Sequence, residues 1–106
     1  MPMAEIDVDE LEELLGEGAA LLDVREDDEW TDVSVAGAIH HPLATVPDVV
    51  EDLAKGQALY VMCAKGGRSA KAVEFLCGKG IEAVNVRGGI EAWIKAGKAT
   101  RPGQPS

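Results

Sequence analysis

Five apolar residues in a row, Ala58 to Met62, followed by a turn with two glycines and then a helical repeat, constrain this chain more than any other stretch. The run has strand length, is rich in strand formers and does not alternate polar with apolar, so it reads as a strand buried on both faces. Ala19 to Val24 is a second run of the same kind. Strands buried on both faces and separated by helical patterns belong to a mostly parallel sheet covered by helices on either side. Ligands of such sheets bind beyond the carboxyl ends of the strands, where Asp23 and Cys63 fall.

Cys63 is followed by Ala64, Lys65, Gly66, Gly67, Arg68 and Ser69, and Ala72, Val73 and Leu76 then recur on one helical face until Gly78 and Gly80. The paired glycines permit a tight turn, so the thiol is predicted to lie among backbone amides at a helix N-terminus. Helical N–H groups without intrahelical partners, and the macrodipole behind them, stabilise negative charge there. Lys65 and Arg68 add to it, and a thiolate is favoured over a thiol. The plainer alternative, a small apolar side chain at a strand end, leaves Lys65, Arg68 and Ser69 without a purpose.

In chain order, Asp7 caps a helix with Glu10 as its capping-box partner, and Leu11, Leu14 and Leu15 form its apolar stripe. Asp27 to Glu29 open a short helical or irregular segment around Trp30, and Ala38 to His41 form a third strand. A helix starting near Pro47 carries Val46, Val49, Val50 and Leu53 on its core face and closes at Gly56. Ala83 to Val86 is a further strand, and Ile90 to Ala96 a last helix. Residues 1–97 are read as one domain and 98–106, with two prolines, a glycine and no core former, as a flexible tail.

Several segments together resemble the rhodanese family: Asp23-Val24-Arg25-Glu26 with Glu29-Trp30, Gly37-Ala38-Ile39 with Pro42, the Cys63 to Ser69 loop, and Arg87-Gly88-Gly89-Ile90-Glu91-Ala92-Trp93. They stand in the family's order over nearly the whole chain. The resemblance implies a three-layer α/β/α sandwich with a mostly parallel five-stranded sheet. It also implies a persulfide carried on Cys63, with Asp23 and Arg25 as supporting residues. The chain departs from the family at Ala64, where an Arg often follows the Cys, and at Ser34, where a His often stands. Lys65 matches a Lys frequent in members that use thiosulfate.

The net charge of −9 is unevenly spread. Residues 1–52 hold 16 acidic residues against Arg25 alone, whereas residues 53–106 hold nine basic against three acidic ones. Between Leu53 and Val73 stand Lys55, Lys65, Arg68 and Lys71 with no carboxylate, a positive mouth for a small anion on an otherwise acidic molecule. That balance speaks against nucleic acid as a partner. No apolar run reaches membrane-spanning length and the first residues lack a leader pattern, so the expected setting is the cytoplasm. Two cysteines without paired spacing argue against a disulfide framework or a metal site. Cys77, eight residues past Ser69, is read as a small packing residue, Trp30 and Trp93 as packing aromatics, and His40 and His41 as pointing to opposite faces.

The function these features imply is transfer of sulfur from thiosulfate or another small anionic donor, through Cys63, to cyanide, a thiol or a protein acceptor. Cys63 and Arg68 are the catalytic candidates, the loop from Ala64 to Ser69 binds substrate, and neither a metal nor an organic cofactor is required. A protein-to-protein sulfur relay and a non-catalytic binding module are the alternatives. A cysteine phosphatase also pairs Cys and Arg around an amide cradle, with five residues between them; here there are four. Oligomeric state is not encoded in any of these motifs.

Overall fold

The computed structural model describes residues 3–53 and 55–104. Five strands, β1 (Glu5–Ile6), β2 (Ala20–Asp23), β3 (Ile39–His40), β4 (Leu59–Met62) and β5 (Ala83–Val86), form one sheet in the order β1-β5-β4-β2-β3. Every pairing is parallel. The four sequence-predicted strands are present, three of them trimmed at their ends and Ala83–Val86 as expected. β1 is an addition: two residues are too few to show any periodicity, and it exists because it pairs with Asn85 and Val86.

Alternation along the buried strands feeds two cores. Leu22, Leu59, Val61 and Ala83 pack on one face with Ala72, Val73 and Leu76 of α4 (Gly67–Gly78) and with Val46 of α3 (Val46–Val49). Leu21, Met62 and Val86 pack on the other with Val8 and Leu11 of α1 (Val8–Gly16) and Ile90 and Trp93 of α5 (Gly89–Lys95). This is the three-layer α/β/α arrangement, and it explains why neither long strand alternates in sequence. α1 begins at the expected capping box, with the Glu10 amide donating to Asp7 Oδ1 at 2.8 Å.

Two expectations are corrected. The helix predicted from Pro47 to Gly56 is α-helical only over Val46–Val49, with 3₁₀ turns at Leu43–Thr45 and Val50–Asp52. Pro47 donates no hydrogen bond and three β-branched valines resist a regular helix, so the tighter turns take over; Ala54, within the predicted span, lies outside the described residues. The stretch after Gly97, read as a flexible tail, is held along the domain through Gln104. Arg101 bridges to Ser34, Gly103 N–H donates to the Trp30 carbonyl at 3.0 Å, and Trp30 Nε1 donates to the Gln104 carbonyl at 2.7 Å. Trp93 Nε1 likewise donates to the Ala99 carbonyl at 2.9 Å. Both indoles need a partner where they are buried, and the backbone of this segment supplies it.

β2 and β4 lie side by side, with Asp23 opposite Met62, and the connections that leave them run in opposite directions across the sheet, to β3 and to β5. The crevice at such a reversal is where this architecture places ligands. No helix among the described residues is long and apolar enough to cross a membrane.

Candidate active site

The loop after β4 carries Cys63 into that crevice. Gly66, at φ 117°, occupies the left-handed region and turns the chain into α4, which starts at Gly67. Of the α4 amides, that of Ser69 in the first turn bears on the sulfur. The Gly66 amide donates to Cys63 Sγ at 3.0 Å, and Ser69 Oγ lies 3.4 Å from it. Cys63 is 1% exposed. Burial by itself pushes this thiol up, but the Ser69 hydroxyl and the amides of Ser69, Gly66 and Lys65 outweigh it and hold Cys63 below the usual thiol range.

A second wall comes from α5. The amides of Ile90 and Glu91 donate to the carbonyls of Cys63 and Ala64 at 2.9 and 3.1 Å. A Cβ on Gly89 would run into those same two carbonyl oxygens, so only glycine lets the two backbones approach this closely. The Arg87-Gly88-Gly89 segment therefore serves the loop directly, a role that its position in sequence does not display.

Arg68 does not point its guanidinium at the sulfur. Its Nη1 and Nη2 donate to Glu29 Oε1 and Oε2 at 2.6 and 2.8 Å, a two-pronged pair with α2 (Asp27–Asp32). The Arg68 hydrogen bond, more than any other influence, lowers the Glu29 carboxyl to about 2. The expected positive mouth is thus partly cancelled: Arg68 is neutralised by a carboxylate from the acidic half, while Lys65 stands exposed on the rim.

Asp23 and Arg25 work behind this pair. The Asp23 carboxylate accepts from the Arg25 amide at 3.0 Å and from Arg25 Nη2 at 2.8 Å, and both residues are buried. Arg25 also donates to the Glu29 and Val33 carbonyls at 3.2 and 2.6 Å, holding the C-terminal turn of α2. Its own carbonyl accepts from His40 Nε2 at 2.7 Å, and the His40 ring stacks on Trp30 with centroids 4.7 Å apart. The Asp23 carboxylate thus both pairs with the Arg25 guanidinium and caps the turn after β2 by accepting from the Arg25 amide; among the described residues none of its hydrogen bonds goes to the Cys63 loop. Its connection to the loop is indirect, running through Arg25 to α2 and from Glu29 to Arg68.

Sequence reasoning gave no chemical role to Glu29, Asn85 or Glu5. Asn85 is buried in β5, with its amide nitrogen 3.0 Å from Glu5 Oε2 and its Oδ1 2.6 Å from Ser69 Oγ. The available signal was one polar residue inside a strand that is otherwise apolar. Cys77 is exposed on α4, and its thiol donates to the Ala83 carbonyl at 3.6 Å. Both cysteines are free.

The comparisons agree with this geometry. Residues 7–96 match the rhodanese-like domain family. A sulfurtransferase of Allochromatium vinosum is 31% identical over 96 residues, spanning 88% of this chain and 90% of that one. The thiosulfate sulfurtransferase GlpE of Pseudomonas entomophila is 29% identical over 92 residues, spanning 86% and 81%. The crystal structure of a rhodanese-related protein from Thermoplasma volcanium superposes with a TM-score of 0.87 at 36% identity, covering 92% of this chain and 97% of that one. With its cysteine seated among loop amides at the end of the fourth strand of a parallel sheet, the chain belongs to the rhodanese-like domain family.

Proposed function

We propose that this protein is a sulfurtransferase that takes the outer sulfur of thiosulfate, or of a similar anionic donor, onto Cys63 and passes it to cyanide or a thiol. The observation that carries the reading is the contact of Cys63 Sγ with the Gly66 amide at 3.0 Å, inside a loop that favours the thiolate. The thiolate attacks the outer sulfur, a new S–S bond forms, and the bond to the sulfite sulfur breaks. Sulfite leaves with the electron pair, and the persulfide's terminal sulfur carries the negative charge that the loop amides and the α4 N-terminus stabilise. An acceptor thiolate or cyanide then attacks that terminal sulfur and returns Cys63 as thiolate. Sulfur is both nucleophile and cargo, so the chemistry calls for no metal or organic cofactor.

Lys65, exposed on the rim, attracts the anion, while Arg68 holds the loop's shape through Glu29. At 1% exposure the sulfur meets a donor only when the loop rim moves. With Arg68 already engaged, a donor held by protein contacts is served as well as free thiosulfate, which keeps the relay reading alongside turnover of the small anion. A phosphatase fits less well. Four residues separate Cys63 from Arg68, and the guanidinium grips Glu29 instead of facing into the cradle. A reducing cytoplasm would keep both cysteines as thiols.

Thiosulfate to cyanide turnover tests the reading. Cys63→Ser should lose it with the fold intact, and Cys77→Ser should keep it. Comparable activity in Cys63→Ser and the unchanged protein would overturn the mechanism.

A further inference from the structure

The Ser69 hydroxyl has one hydrogen and two acceptors within reach, Cys63 Sγ at 3.4 Å and Asn85 Oδ1 at 2.6 Å. Which face of the Asn85 amide meets Ser69 follows from its other neighbours. Glu5 Oε2 at 3.0 Å and the Gly66 carbonyl at 3.4 Å are acceptors only, so Nδ2 faces them and the carbonyl oxygen faces Ser69. An amide oxygen cannot donate, and the 2.6 Å contact therefore requires the Ser69 hydrogen to point at Asn85. In that state Ser69 Oγ offers lone pairs to the sulfur, which suits a neutral S–H and opposes a thiolate. Ser69 and Asn85 are 0% and 3% exposed, so water does not compete for the hydrogen.

We propose that Asn85 is a positioning residue that governs the Ser69 hydrogen, taking it when the Cys63 sulfur is neutral and releasing it when the sulfur is ionised. This rests on the reading of Cys63 as the nucleophile. When Cys63–SH gives its proton to solvent, the hydroxyl rotates from Asn85 Oδ1 to Sγ; no other bond changes. Once the persulfide forms, Sγ is neutral again, the charge sits one sulfur further out, and the hydroxyl returns to Asn85. The carboxylate of Glu5 strengthens the alternation, since a hydrogen bond to the amide N–H raises electron density on Oδ1. Four elements thus meet at one hydrogen: β1 through Glu5, β5 through Asn85, α4 through Ser69, and the end of β4 through Cys63.

The opposite sign separates this role from mere support. Were Asn85 only a brace for the Gly66 carbonyl, removing it would loosen the amide at the sulfur and make the thiolate harder to form. The test is the ultraviolet absorbance of the thiolate against pH, in a Cys77→Ser background and without any sulfur donor. Asn85→Ala should move the Cys63 curve to lower pH, with about a fivefold rise in the thiolate to thiol ratio, the worth of one hydrogen bond. Ser69→Ala should move it to higher pH, and adding Asn85→Ala to Ser69→Ala should then change nothing. Ser69→Thr, which keeps a hydroxyl, should restore the response. The surrounding charges are the same in all variants: Arg68 with Glu29, Lys65 on the rim, and Glu5 with Arg87 at 3.9 Å. If circular dichroism shows Asn85→Ala unfolded, Asn85→Leu, closer in volume, is read by the same criteria. A curve that moves to higher pH without Asn85, or one that moves equally with and without Ser69, overturns the proposal. The titration needs no sulfur transfer, so a protein that takes no sulfur from thiosulfate would overturn the proposed reaction and leave this result standing.

Discussion

Replacing Glu29 with Gln removes the charge that holds Arg68 and leaves the shape of the side chain nearly unchanged. The pair is two-pronged, at 2.6 and 2.8 Å, and about a third of each side chain is exposed. The shift of the Glu29 carboxyl from 4.5 to about 2 corresponds to about 3 kcal/mol as a ceiling, at about 1.4 kcal/mol per unit. Solvent screening at this exposure reduces that to about 1 kcal/mol. A carboxyl lowered in the folded state stabilises above its unfolded pKa, and the contribution disappears as pH falls through the folded value. The contribution is therefore complete above about pH 4.5 and lost on approaching pH 2. Urea denaturation at neutral pH should find Glu29→Gln about 1 kcal/mol less stable than the unchanged protein, with the gap closing as pH falls toward 2. Equal stability at neutral pH, or a deficit that persists undiminished in acid, would refute the reasoning.

Gly89→Ala should destabilise by at least about 2 kcal/mol and slow alkylation of Cys63, because its methyl group meets the Cys63 and Ala64 carbonyls and the loop has to retreat; an unchanged melting temperature would mean that the two backbones are not tightly apposed. Deleting residues 99–106 should cost about 1–3 kcal/mol in urea denaturation and change Trp30 and Trp93 fluorescence, since both indole N–H groups lose their acceptors. A deletion that is silent in both measurements would restore the reading of this segment as a loose tail.

The parts of the fold legible in sequence are those with local causes. The non-alternating runs at β2 and β4 announced burial on both faces, and Asp7 with Glu10 announced the start of α1. Cys63, the loop glycines and Ser69 were legible because strand, turn and helix follow one another without interruption. Glu29 was not, since it meets Arg68 across 39 residues and only the fold brings α2 to the loop. β1 escaped because its two residues gain their strand character from pairing with β5, and Glu5 came into the site with it. Composition misjudged the segment after Gly97 for a related reason. Its hydrogen bonds to Trp30, Ser34 and Trp93 are made by backbone groups, to which composition is blind.

The central claim is that Cys63 carries sulfur, and the mass of the intact protein after incubation with thiosulfate tests it most directly. The protein should gain the mass of one sulfur atom, located on Cys63, lose it on treatment with cyanide or a thiol reductant, and show no gain as Cys63→Ser. No gain in the unchanged protein, together with efficient hydrolysis of aryl phosphates, would contradict the account.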